Sequence, residues 1–205
     1  MNNKHRKIVI ATGGTGGHVL PAYNLAKHFF DNKINVELTC DKRGLKYLKN
    51  YKNIKVNLIP SSTIFKNNIF KSIFSTIIIL YSVFRSFLFL LFNRPDLVFG
   101  MGGYSSFSIC IAAKALNIPF IIYENNLYIG KANKYLLPYA KNIFVSHKEL
   151  EGISLRYRKK IFEIGNIIQK EIINFQDQTN SSCDNQKLKI LILGGSQAAK
   201  VFAEK

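Results

Sequence analysis

The chain has 205 residues, with 29 Lys+Arg against 12 Asp+Glu and a formal net charge of +17. That length allows one full domain and a remnant of a second, and 47% hydrophobic residues exclude whole-chain disorder. The basic balance points to an anionic partner: nucleic acid, acidic lipid headgroups or a phosphorylated substrate. Met1 to Lys7 is basic, but the apolar run behind it breaks at Gly13 and Gly14, so no signal peptide fits. Ile8–Ala11 reads as a short apolar strand, Thr12–His18 as a glycine-rich turn and Leu20–Phe30 as a helix. Ile34–Thr39 and the stretch near Ile54–Ile59 predict strands, with a helix near Leu45–Leu48 between them. Leu97–Phe99 runs into Gly100–Gly103 and an apolar helix to Leu116. Pro119–Tyr123, Ala140–Ser146 and Lys160–Ile164 predict further strands joined by short helices. This alternation implies an α/β domain, a parallel sheet covered by helices on both faces, and argues against an all-α bundle.

Ile73–Phe92 is mostly apolar and long enough to span a bilayer, but Arg85 interrupts it. Ser72, Ser75, Ser82 and Ser86, continued by Asn93, form a polar stripe at helical spacing. Three readings stand: a buried crossover helix packed on the sheet, a crossover helix whose outer face touches a membrane, and a true span. Cys40, Cys110 and Cys183 lie far apart without CxxC spacing, which argues against a zinc site or a disulfide framework and fits a reducing compartment. Gln169–Lys187 is polar and reads as a linker, and Leu188–Leu193 with Gly194–Ser196 opens a second strand–turn–helix unit. The expected division is therefore residues 1–165, a linker 166–187, and the start of a second domain at 188–205.

Gly13–His18, Gly100–Ser105 and Gly194–Gln197 share one design: apolar strand, glycines with small polar residues, then helix. Glycine lets backbone approach a ligand closely, and a helix start offers free N–H groups to phosphate. The alternative is glycine used only for tight packing. A P-loop is excluded, since none of these turns carries Gly-Lys-Ser/Thr, and a dinucleotide fingerprint fails at Val19. Asp41 stands where a ribose-binding acid would, on weak grounds. No Asp-x-Asp and no His/Cys cluster points to a metal, and no cofactor is expected. The aromatic residues cluster in the apolar segment and not in basic strips, which argues against nucleic-acid binding.

Gly13–His18 followed by Val19-Leu20-Pro21-Ala22, Gly100-Met101-Gly102-Gly103-Tyr104, Glu124-Asn125-Asn126, Asn133-Lys134 and Gly194-Gly195-Ser196-Gln197 together resemble the MurG family of peptidoglycan N-acetylglucosaminyltransferases. The resemblance runs from about Ile8 to Gln197. It implies the N-terminal, Rossmann-like half of a GT-B type transferase that meets the lipid acceptor, and the opening of the half that holds UDP-N-acetylglucosamine. The reaction it implies is inverting transfer of N-acetylglucosamine to the C4 hydroxyl of lipid I, giving lipid II. It also implies a peripheral location on the cytoplasmic face of the bacterial inner membrane. An anionic membrane surface would meet the helix flanked by Lys66, Lys71 and Arg94.

By the same resemblance, Thr15, Gly16, Gly17, Asn126 and Ser196 match positions that contact the sugar nucleotide. Gly102, Gly103 and Tyr104 match the acceptor and phosphate loop. His18 matches the base or orienting group for the acceptor hydroxyl; a helix start keeps an imidazole neutral, though a capping histidine is the simpler role. Glu124 is as readily structural as catalytic. Two departures weaken the donor side: Gly165-Asn166-Ile167-Ile168-Gln169 stands where the family has Gly-Asn-Pro-Val-Arg, and Gln197-Ala198-Ala199-Lys200 where it has Gln-Gly-Ala-Arg. The alternative reading is an inactive fragment that at most binds lipid or membrane.

Overall fold

The computed structural model describes residues 6–48, 53–62 and 69–175. The turn expected at Gly194–Gln197 with Ser196, the strand expected at Leu188–Leu193, Cys183 and Lys66 lie outside them. Seven short segments form β1 (Lys7–Ala11), β2 (Asn35–Cys40), β3 (Lys55–Leu58), β4 (Leu97–Gly100), β5 (Phe120–Glu124), β6 (Asn142–Val145) and β7 (Ile161–Glu163). All neighbours pair in parallel, in the order β3-β2-β1-β4-β5-β6-β7. The chain winds outward from β1 to β3, then crosses back to lay β4 on the other side of β1. The sheet thus has its topological switch point between β1 and β4, where clefts form at the carboxyl ends of the strands.

The helices are α1 (Gly16–Asp31), α2 (Lys42–Leu45), α3 (Ile69–Asn93), α4 (Tyr104–Ala115) and α5 (Lys131–Leu136). Strand residues alternate between two cores. Val9, Ala11, Val98, Phe120 and Ile122 pack with Leu90, Ile109, Ala112 and Leu136 on one face. Ile8, Ile10, Val36, Leu38 and Phe99 pack with Val19, Ala22 and Ala26 of α1 on the other. Burial on both faces explains why β1, β4 and β5 read as apolar runs and not as alternating ones.

Two helix starts differ from the sequence reading. α1 begins at Gly16 and not at Leu20, so Gly16, Gly17 and His18 belong to its first turn. The segment expected to be helical near Leu45–Leu48 starts earlier, as α2, because Asp41 caps it by accepting a hydrogen bond from the Gly44 N–H; a 3-10 turn follows at Lys46–Leu48.

The long helix α3 also departs from expectation. Ser75, Ser82 and Ser86 are buried with Leu90, Ser72 is only half-buried, and this stripe faces α4, not the sheet. α4 is itself lined with small buried residues, among them Ser105, Ser108, Cys110, Ala112 and Ala113. Short side chains on both helices suit a close helix–helix seam, whereas a sheet face calls for larger apolar groups. The opposite side carries Phe70, Ile73, Phe74, Ile77, Leu80, Tyr81 and Phe84, all exposed. α3 is therefore a crossover helix with an open apolar face, which overturns the fully buried reading.

Residues up to Gln169 form one compact unit. The second unit begins at Lys170, and its described part is a short helix, α6 (Lys170–Phe175), inside the stretch read as linker.

Candidate functional site

The turns after β1 and β4 meet because those strands are neighbours at the switch point. Their glycines fit backbone against backbone. A side chain at Gly103, where φ is +83°, would place its Cβ 2.5 Å from the Gly13 carbonyl oxygen. The space beside Gly13 is filled by Ser105, whose hydroxyl donates to the Thr12 carbonyl. Tight packing is thus one reason for these glycines, as the alternative reading held.

Asp41 fixes the first turn. Its Oδ1 accepts from the Gly14 N–H (3.0 Å) and the Gly44 N–H (2.8 Å), and its Oδ2 accepts from Ser61 Oγ (2.6 Å) and the Arg43 guanidinium. Burial pushes the Asp41 carboxyl up, but these donors outweigh it and hold the pKa below the usual carboxylate range. Asp41 is consumed as a clamp, which removes it as a ribose acid. With Gly14 engaged, the first-turn N–H groups at the start of α1 are those of Gly16 and Gly17, which lack intrahelical partners by position. Thr15 is the N-cap, and its hydroxyl makes no capping bond.

His18 lies across the second turn. A Cβ at Gly102 would sit 2.7 Å from its Nδ1. Burial lowers the His18 pKa below the ordinary histidine value, while the Glu124 charge and a hydrogen bond to the Met101 carbonyl partly restore it. Burial thus favours the neutral imidazole at pH 7, in the same sense as the helix start invoked from sequence. Donation of one ring N–H to Met101 leaves the other nitrogen as an acceptor.

Glu124, at the end of β5, is 1% exposed. Its Oε1 accepts from the Asn126 N–H (3.2 Å) and Nδ2 (2.8 Å), and its Oε2 from the Gly130 N–H (2.8 Å) and Asn133 Nδ2 (3.0 Å). Four donors hold the carboxylate, so it orders the β5–α5 loop and acts on His18 through its charge.

A cavity of about 330 Å³ opens between these parts, lined by His18, Gly102, Gly103, Tyr104, Glu124 and Asn126, together with Gly130, Lys131, Ala132 and Asn133. It brings together both expected catalytic positions, the second-turn residues and Asn126. Thr15, Gly16 and Gly17 stand at the start of α1, outside its wall. Lys131 and Asn133 were not singled out as site residues by the sequence reading. Among the described residues no group of three His, Cys, Asp or Glu side chains is placed to hold a metal ion.

A doubly wound parallel sheet whose interlocked glycine turns shelter a neutral imidazole at the switch point is the N-terminal architecture of a GT-B type glycosyltransferase. The glycosyltransferase family 28 N-terminal domain matches residues 8–145, and the chain belongs to that family. It is 36% identical over 200 residues to a UDP-N-acetylglucosamine–N-acetylmuramyl-(pentapeptide) pyrophosphoryl-undecaprenol N-acetylglucosamine transferase of Pelagibacter ubique, covering 97% of this chain and 54% of the relative. It is also 36% identical over 210 residues to the transferase of the same name from Francisella tularensis, covering 100% of this chain and 56% of the relative. The crystal structure of Acinetobacter baumannii MurG superposes with a TM-score of 0.72 at 26% identity, covering 97% of this chain and 55% of that one. The resemblance to MurG read from the motifs thus extends over nearly all of the sequence. The chain spans about half the length of the curated relatives it matches.

Proposed function

We propose that this chain supplies the acceptor-binding half of an enzyme that transfers N-acetylglucosamine from UDP-N-acetylglucosamine to lipid I, giving lipid II. The observation that carries this reading is the neutral His18, held between the two glycine turns with one ring nitrogen engaged and the other available. In the reaction, the C4 hydroxyl oxygen of the lipid-linked N-acetylmuramic acid forms a bond to the anomeric carbon from the face opposite UDP. The bond from that carbon to the phosphate oxygen breaks, and its electron pair leaves with UDP. The hydroxyl proton passes to the available His18 nitrogen. The Gly16 and Gly17 N–H groups and the N-terminus of α1 stabilise the departing diphosphate. Thr15 and Asn126 add to the donor contacts, and Gly102, Gly103 and Tyr104 face the acceptor phosphates. Glu124 is a positioning residue here, since its oxygens are engaged by the loop it orders.

The open face of α3 supports a peripheral place on anionic membrane. α3 starts beyond the carboxyl end of β3, the same end of the parallel sheet at which the glycine turns lie. Phe70, 85% exposed, and Phe74, 65% exposed, sit on its first two turns. Lys71 and Arg85 on α3, and Arg94 just beyond it, add cations. A membrane bound there brings lipid headgroups to the edge that carries the cavity. The basic charge is thereby assigned to lipid and diphosphate, not to nucleic acid.

Transfer of radiolabelled N-acetylglucosamine to lipid I in vesicles tests the reading. His18→Ala is expected to lower turnover by about 10²–10⁴-fold with a small effect on UDP-N-acetylglucosamine binding. Because the base works only when neutral, the wild-type rate should stay flat with falling pH until below the ordinary histidine pKa. Normal turnover by His18→Ala makes the histidine structural and removes the base assignment.

A further inference from the structure

The geometry points to Lys131 as a specificity-determining cation of the cavity, the counter-charge for the diphosphate of a lipid-linked acceptor and not for the nucleotide donor. This rests on the acceptor reading of the second glycine turn. Lys131 lines the same cavity as Gly102, Gly103 and Tyr104. It is the first residue of α5, is exposed, and no ion pair or hydrogen bond engages its ammonium among the described residues. Arg43, beyond the carboxyl end of β2, is by contrast held by Asp41. Across the cavity, α4 begins at Tyr104 after Gly103, so its first N–H groups and positive dipole end face the same space.

A second observation supports a ligand at this wall. Asn133 is 2% exposed and lines the cavity. Its Nδ2 donates to the Tyr123 carbonyl (3.1 Å) and to Glu124, yet its buried Oδ1 has no partner. A buried acceptor left bare is costly, and here it adjoins a cavity that can deliver a donor. An unpaired cation and a bare acceptor on the α5 wall, with helix amides of α4 on the other, suit a molecule carrying both phosphate and hydroxyl or amide N–H groups. A sugar diphosphate has both. The donor's diphosphate is assigned to Gly16 and Gly17, outside this wall, and of the donor contacts among the described residues only Asn126 shares the cavity, which leaves the Lys131 ammonium to the acceptor's diphosphate.

Calorimetric titration of the 205-residue chain with farnesyl pyrophosphate, inorganic pyrophosphate and UDP separates the outcomes. Lys131→Ala should weaken farnesyl pyrophosphate and pyrophosphate about tenfold, as expected for loss of one charge-assisted contact, and leave UDP unchanged. Lys131→Arg should stay within about twofold of wild type, since the cation is kept. Lys159→Ala removes one charge away from the cavity and should change nothing. Circular dichroism should show wild-type folding for each variant, because the side chain is exposed at a helix start. If Lys131→Ala binds farnesyl pyrophosphate as wild type does, the inference is overturned while the phosphate reading of the second turn stands. Equal loss for UDP overturns the assignment to the acceptor. A wild-type chain that binds neither pyrophosphate probe overturns the second-turn reading and the inference with it.

Discussion

Pro21 and Asn125 are coupled through one carbonyl. Pro21 lies inside α1 and has no N–H to give the carbonyl of Gly17 four residues earlier. The Asn125 side-chain amide, from the loop after β5, donates to that same carbonyl at 3.0 Å. The proline thus frees an acceptor that the next layer of the cleft uses, tying the first turn of α1 to the Glu124–Asn126 loop. Asn125→Ala should cost about 1 kcal/mol, the usual value of a hydrogen bond to a neutral group. In a Pro21→Ala background the cost should shrink, because the restored N–H takes the Gly17 carbonyl itself. Urea unfolding of the four proteins of that cycle measures it; full additivity counts against the coupling.

Gly102 and Gly165 make a matched pair, both with positive φ, +87° and +77°. A Cβ at Gly102 meets the His18 ring, whereas at Gly165 it meets nothing within 4 Å. Gly165→Ala should therefore cost only the backbone strain, about 1 kcal/mol. Gly102→Ala should cost more, about 2–4 kcal/mol with strain and displacement combined, and should perturb the His18 imidazole resonances in NMR spectra. Equal losses of stability at the two positions speak against a steric role for Gly102.

Asp41 sets an acid limit on the first turn. Its folded-state pKa lies below the value of a free aspartate, so the unfolded chain binds the proton more readily. The stabilisation is complete above the unfolded pKa of about 3.9 and is lost as pH falls through the lower folded value. Asp41→Asn should lower stability at pH 7 and flatten the loss of stability between about pH 4 and the folded pKa. Thermal melts at a series of pH values read this out. Parallel acid profiles for wild type and variant mean another carboxylate governs that limb.

The strands and their parallel pairing were legible because most are short apolar runs closed by glycine or a polar residue, and helices separate them. The start of α1 was not, since glycine is a poor helix former and local propensity hides Gly16 and Gly17 in a turn. The role of Asp41, only weakly suggested as a ribose acid, was hidden for a different reason. Its partners Gly14 and Ser61 are far away in sequence, and only the fold reveals that its oxygens are occupied. His18 was found by motif, but the burial that keeps it neutral comes from packing against the β4–α4 turn. Lys131 carries no local signal beyond its type, and Asn133 stood out only as part of a family motif, because the cavity that joins them to Gly102 is made by the fold. α3 shows the limit of periodicity: the serine stripe marks one face, yet apolar residues on the other look alike whether buried or open.

The open face of α3 should separate membrane binding from folding. Phe70, Phe74 and Ile77 project from the early turns away from α4, and each is more than half exposed. Full burial of such a side chain is worth about 1.5–3 kcal/mol, so partial insertion of three gives several kcal/mol. Nearby cations add about 1 kcal/mol each at an anionic surface, and salt screens that part. Replacing all three residues with serine should reduce sedimentation with phosphatidylglycerol vesicles by more than about tenfold, without lowering the melting temperature. Ser82→Leu should do the reverse: Ser82 is fully buried in the seam with α4, so the larger side chain should cost about 1–3 kcal/mol of stability by overpacking and leave vesicle binding intact. Wild-type binding should weaken with added salt and on neutral vesicles, but not vanish, because the apolar part persists. Binding indifferent to both lipid charge and salt removes the cationic contribution. A triple-serine variant that still sediments fully removes α3 as the membrane-facing surface.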